Sequence, residues 1–245
     1  MTMKEIVFGT ALTMLCAASA SAATVMLSPT HDNRIRSDAL TGNSEGTPSD
    51  LVGNVSSTRA HRAALAFDLS GIPVGATIDS VTLSATFDPD GSGNSANTDD
   101  GTGNIVVAEM LENPDRVNGW NYAFQSFGGD QTGNTGDDTS WATPGGTLGV
   151  ALSSVADSTY DPEGIAAGTP FAWASSPDFV AAITNNLGDD EVLLQVYIPG
   201  VEGGGRSFVR SNNDFVLSVD YTPIPEPSVG FLGVLGALGW IRRRR

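Results

Sequence analysis

Asp88, Asp90, Ser92 and Asp99 take the first, third, fifth and twelfth places of a loop whose sixth residue is Gly93. Oxygen ligands so spaced can wrap one calcium ion, and the glycine permits the sharp turn between them. The twelfth ligand is the short aspartate, however, the ninth place is Ala96, and the tract from 88 to 104 is rich in Asp, Asn, Gly and Ser. A solvated hairpin loop explains the same spacing, so calcium is admitted by the sequence but not demanded by it. Gly42-Asn43-Ser44-Glu45-Gly46 has the letters of a nucleophile elbow, but that chemistry needs a strand before the serine and a helix after it. Neither pattern flanks this turn-rich loop, and His61 is the one downstream histidine. His31 is the other in the chain, too few for a His-rich zinc site.

Sugar recognition is the remaining chemistry with residues to serve it. Trp120, Tyr122, Trp141 and Trp173 offer flat rings that stack on pyranose faces if they reach the surface. Aromatics among glycines in irregular segments also plug the open ends of a sandwich, so packing is the competing role for each of them. The arginine pairs Arg34/Arg36, Arg59/Arg62 and Arg206/Arg210 match the carboxylates of acidic sugars or of this chain itself. No pair of carboxylates stands out for acid/base cleavage of a glycosidic bond. The expectation is a protein that is not an enzyme. Its alternative is a secreted polysaccharide lyase or glycosidase.

The elements that must position these residues are mostly strands. From Arg62 to Phe87 the chain holds two of them joined by a Pro/Gly corner at Ile72-Pro73-Val74-Gly75. Val81, Leu83, Ala85 and Phe87 alternate with Thr82, Ser84 and Thr86, which sends one face to a core and the other to water. The preceding strand, through Leu65, Phe67 and Leu69, has alanines between its large residues and so is expected to be buried on both faces. Thr24–Leu27, Leu51–Val55, Ile105–Leu111, Leu148–Val155, Phe171–Ala174, Glu191–Tyr197, Phe208–Ser211 and Phe215–Tyr221 read as further strands. Ile105, Val107 and Leu111 are expected to share a face, and Asp32-Asn33-Arg34-Ile35-Arg36-Ser37 to lead into a polar loop over 40–50.

A single helix is predicted. Ser176-Pro177-Asp178 supplies a cap, a first-turn proline and an acidic first turn; Phe179, Val180, Ile183 and Leu187 form one stripe, and Gly188 stops it. Many short strands, no internal repeat and no second core predict one all-β domain over 24–223, an antiparallel β-sandwich of jelly-roll type with one short packing helix.

The two ends predict a destination. Residues 1–23 have Lys4, an apolar run from Ile6 to Ala18 and an Ala20-x-Ala22 cleavage site, the pattern of a secretory signal peptide. Cys16, the only cysteine, lies in that run, so the mature chain has no disulfide or thiolate ligand. Residues 224–245 place Pro225-Glu226-Pro227 before an apolar, Gly-containing run from Ser228 to Ile241 and then four arginines. At ~1.5 Å per residue that run reaches about 20 Å, short of the ~30 Å hydrocarbon core, so it spans only with thinning and snorkelling. The arginines hold their end in the cytoplasm and leave the body outside. Removing Lys4, Glu5, Glu226 and the four arginines takes the net charge from −16 to −19. Such a field repels nucleic acid and excludes it as a partner.

This tail resembles the PEP-CTERM sorting signal of Gram-negative bacteria, and Pro225, Glu226 and Pro227 match its motif letter for letter. The resemblance implies recognition and cutting near the motif by an exosortase-type membrane protease, transient anchoring in the inner membrane, and delivery to the cell surface or an exopolysaccharide-rich biofilm matrix. The body resembles the DNRLRE domain family, secreted β-sandwich modules related to carbohydrate-binding modules. Asp32-Asn33-Arg34-Ile35-Arg36 follows the naming motif, with Ser37 where the family has glutamate. The segments 62–70, 72–83, 140–146 and 217–223 carry the rest of the likeness, which runs from about His31 to Pro223. The resemblance implies a non-catalytic module, structural or binding extracellular polysaccharide.

Overall fold

The computed structural model describes residues 21–36, 51–56, 59–86, 104–112, 146–156, 170–199, 207–210 and 214–224. In chain order these form β1 (Ala23–Leu27), β2 (His31–Arg36), β3 (Leu51–Ser56), β4 (Arg59–Asp68), β5 (Thr77–Thr86), β6 (Asn104–Met110), β7 (Leu148–Ala156), β8 (Pro170–Trp173), α1 (Pro177–Asn186), β9 (Glu191–Tyr197), β10 (Ser207–Arg210) and β11 (Val216–Thr222). The strands make two antiparallel sheets packed as a sandwich. One has four strands in the order β1-β11-β5-β8; the other has seven, in the order β10-β3-β4-β9-β6-β7 with β2 also on β4.

The alternation along β5 does what its sequence dictates: Val81, Leu83 and Ala85 are buried while Thr82, Ser84 and Thr86 are partly open to water. β4 is different because both its faces are covered. Ala63, Ala64, Leu65, Ala66 and Phe67 are all fully buried, as the alanines between its large residues foretell. Leu65 and Phe67 point into the core with Val192, Leu194 and Val196 of β9. Trp173, Phe67, Phe179 and Phe215 are the largest fully buried side chains, each contributing about 1.5–3 kcal/mol by leaving water.

β4 also organises its neighbours. His61 pairs with Gly53 of β3 and with Arg36 of β2, so those strands take opposite edges of β4, and β9 shares the β3 side from Ala63 onward. The segment ahead of the polar loop, which carries no strand pattern of its own, is a strand: His31 to Arg36 pair one by one with Ala66 to His61. Its polar composition hides this, because the pairing is supplied by backbone groups along β4 and not by its own apolar pattern.

α1 begins as predicted. The Ser176 hydroxyl accepts from the Phe179 N–H at 3.0 Å and donates to the Leu152 carbonyl of β7, so one side chain caps the helix and ties it to the larger sheet. Phe179, Ala182, Ile183 and Leu187 face the core. The helix stops before Gly188 as expected, with Leu187 at its C-cap, but the left-handed residue beyond it is Asp190, at φ 57°, and not the glycine. Aspartate tolerates that region through its short polar side chain. Leu111 is a second difference. β6 ends at Met110 after register shifts around Ala108, and Leu111 is left 59% exposed instead of sharing the face of Val107.

Candidate functional site

Two outer surfaces could serve function, one on each sheet. On the seven-stranded sheet, period two turns Arg62, Ala64 and Ala66 of β4 away from the core, with Gln195 and Tyr197 of β9 and Val106 and Ala108 of β6 beside them. Ala64 and Ala108 both pair with Gln195, which is fully buried. The Arg62 guanidinium donates from Nη1 to Gln195 Oε1 at 3.0 Å and lies 5.5 Å from the centroid of the Tyr197 ring. Arg62 is 8% exposed, and both it and Gln195 have further partners.

A buried guanidinium needs acceptors and a polarisable face to offset lost hydration, and the amide and the ring supply them. At that exposure Arg62 is a brace between β4 and β9. It is not a surface subsite for an acidic sugar. The side chains of Arg34, Arg36, Arg59, Arg206 and Arg210 lie outside the described residues.

The outer face of the four-stranded sheet is polar and wetter. Thr24 of β1, Asp220 of β11 and Ser80 of β5 form a row across three strands. Thr24 Oγ1 donates to Asp220 Oδ1 at 2.5 Å and Ser80 Oγ to Oδ2 at 2.6 Å. The Ser80 and Thr24 hydroxyls hold the Asp220 carboxyl below the usual carboxylate range. Thr222 donates to Asp79 at 2.8 Å, and Asp214 accepts from the Thr86 backbone at 2.8 Å and from its hydroxyl. Asp68, the last residue of β4 in the other sheet, is also held low, by the Ser70 hydroxyl and backbone N–H. Asp79, Asp214 and Asp220 already serve neighbouring strands, and they are spread along the four-stranded sheet. Among the described residues no group of three or more His, Cys, Asp or Glu side chains could hold a metal ion.

Trp173 must be withdrawn from the sugar-binding candidates. It is fully buried, its indole N–H donates to the Ile105 carbonyl at 2.9 Å, and its ring meets Phe171 edge-on and Phe215 in a stack. The indole joins the two sheets, since β8 and β6 belong to opposite ones. Its neighbours in sequence did carry the signal: Phe171 and Trp173 alternate with Ala172 as core-facing residues of a short strand. Trp120, Tyr122 and Trp141 lie outside the described residues, as do the calcium candidates Asp88, Asp90, Ser92 and Asp99, the 42–46 loop, the leader as far as 20, and Pro225, Glu226 and Pro227 with the rest of the tail.

Comparison with family models and with curated proteins gives no match to this chain. The Arg62–Gln195 brace was beyond sequence reasoning. Its partners stand 133 residues apart, and neither belongs to a motif.

Proposed function

We propose that the protein is an exported, non-catalytic β-sandwich module of the cell surface or extracellular matrix, anchored transiently by its tail and released or sorted by an exosortase-type protease. The observation that carries this reading is the tail itself: Pro225-Glu226-Pro227, an apolar run too short to span at ease, and four terminal arginines, in that order. The signal-peptide pattern at the other end supports it independently. A strongly acidic body suits an extracellular setting and polysaccharide partners better than nucleic acid. Trp120, Tyr122 and Trp141 remain the platforms on which sugar binding would rest.

The test is the mass of the exported chain in a host that carries such a protease. The wild-type protein should lose a fragment beginning near Pro225, whereas Glu226→Ala keeps its tail. Equal, intact masses for both, with export unaffected, would remove the sorting reading. Retention on matrix polysaccharide should fall with Trp120→Ala or Trp141→Ala. Release of reducing sugars from that polysaccharide by the purified protein would turn the reading toward a polysaccharide-degrading enzyme.

A further inference from the structure

Both apolar runs of the chain leave the sandwich from one end. β1 pairs antiparallel with β11 so that Ala23, the last residue of the leader, stands opposite Tyr221, just before the tail. Thr222 in turn pairs with Thr77 at the start of β5. The corner before β5 completes this end. It is closed by bonds from the Ile72 N–H to the Leu69 carbonyl and from the Ala76 N–H to the Pro73 carbonyl, and Gly75 takes φ 87°.

Ile224 lies against this corner. Its Cδ1 is 3.1 Å from where a Cβ on Gly75 would stand, a close approach, while the positive φ is what favours glycine at that position. The chain therefore stays on the body as far as Ile224, yet Ile224 is 59% exposed and Val74 is 71% exposed. Two large apolar side chains face outward where the tail departs.

Tail length then places that end. Only Pro225, Glu226 and Pro227 separate Ile224 from the apolar run, and three extended residues reach about 10 Å. The headgroup layer of one leaflet takes up roughly 5–8 Å of that reach. A run about 10 Å shorter than the hydrocarbon core pulls the body further inward. We propose, resting on the reading of 224–245 as a membrane tail, that the Val74–Gly75–Ile224 end of the sandwich is a membrane-apposed surface that lies in the headgroups of the bilayer while the tail is inserted. Asp68 and Asp79 flank the corner and the Asp190 carbonyl accepts from the Leu69 N–H, so the surface fits zwitterionic and not anionic headgroups.

The test uses the full chain with Cys16→Ser and one environment-sensitive fluorophore at Val74→Cys or at Ala172→Cys. Ala172 pairs with Ser84, well along β5 from the corner, roughly 23 Å from Thr77 at ~3.3 Å per residue. The chain is reconstituted into phosphatidylcholine/phosphatidylethanolamine vesicles and checked for insertion by alkaline extraction. The expected result is resistance to extraction, with a blue shift and loss of iodide quenching at 74 and neither change at 172. Resistance to extraction with position 74 as quenched as 172, or with both protected, overturns the apposed surface and leaves the tail reading standing. Extraction of the chain removes the tail reading and the surface together. Protection at 74 in detergent-free solution, without vesicles and with the tail deleted, would assign the patch to a second copy of the chain and overturn the membrane assignment.

Discussion

On the outer face of the seven-stranded sheet Ala64, Ala66 and Ala108 are buried beside Arg62 and Gln195, whereas on the outer face of the four-stranded sheet Thr82, Ser84, Ser218 and Asp220 keep partial contact with water. Both faces belong to antiparallel sheets over one shared core, yet they use polar groups differently. The wetter face has its hydroxyls donate to exposed carboxylates, where water competes for every bond and each is worth little. Among the described residues of the buried face, the Arg62 charge is met by an amide and an aromatic ring together with further partners, because no solvent is there to do it. Polar content in the sequence is thus a poor guide to energetic weight. Arg62 on the buried face should matter more than the whole row around Asp220.

Three measurements sharpen or break that contrast. Arg62→Ala removes stem packing and the hydrogen bond to Gln195 Oε1, and should lower stability in urea by about 2–4 kcal/mol. Ser218→Ala on the opposite face should stay within about 0.5 kcal/mol. Equal losses from the two would remove the distinction. Next in size is Ala64→Leu, which crowds a fully buried position and should cost about 1–3 kcal/mol, while Thr82→Leu on the wetter face is tolerated to within about 0.5 kcal/mol. A neutral Ala64→Leu would show that the buried face has room to spare.

The smallest effect concerns pH. Asp220 is held below the ordinary aspartate value of 3.8 by the Ser80 and Thr24 hydroxyls. Its contribution is therefore complete above that value and is lost as pH falls through the lower folded one. Asp220→Asn should therefore be slightly less stable than wild type near neutral pH, and the difference should fade as pH drops below the folded value. A difference in acid as large as that at neutral pH would mean that the row acts by shape and not by charge.

Much of the scaffold was legible because it is local. The alternation of Val81, Leu83 and Ala85, the Ser176-Pro177 cap, and the glycine of the corner each declare themselves within a few residues. The candidate site was far less so. Trp173 looked like a platform until its strand turned it inward, and the hexapeptide from His31 carried no apolar pattern because β4 supplies its pairing. Leu111 kept the right parity in sequence but lost the core face where β6 stops and its register shifts.

By itself the sequence determined which segments alternate, where the helix starts, that both ends bear apolar runs, and that the body is strongly acidic. These follow from neighbours in the chain, through backbone periodicity, capping and charge. Only the tertiary structure decided that Arg62 meets Gln195, that Trp173 bridges two sheets, and that Ala23 and Ile224 leave from one end. Those are long-range pairings, set by strand order and register, and no local pattern encodes which strands become neighbours.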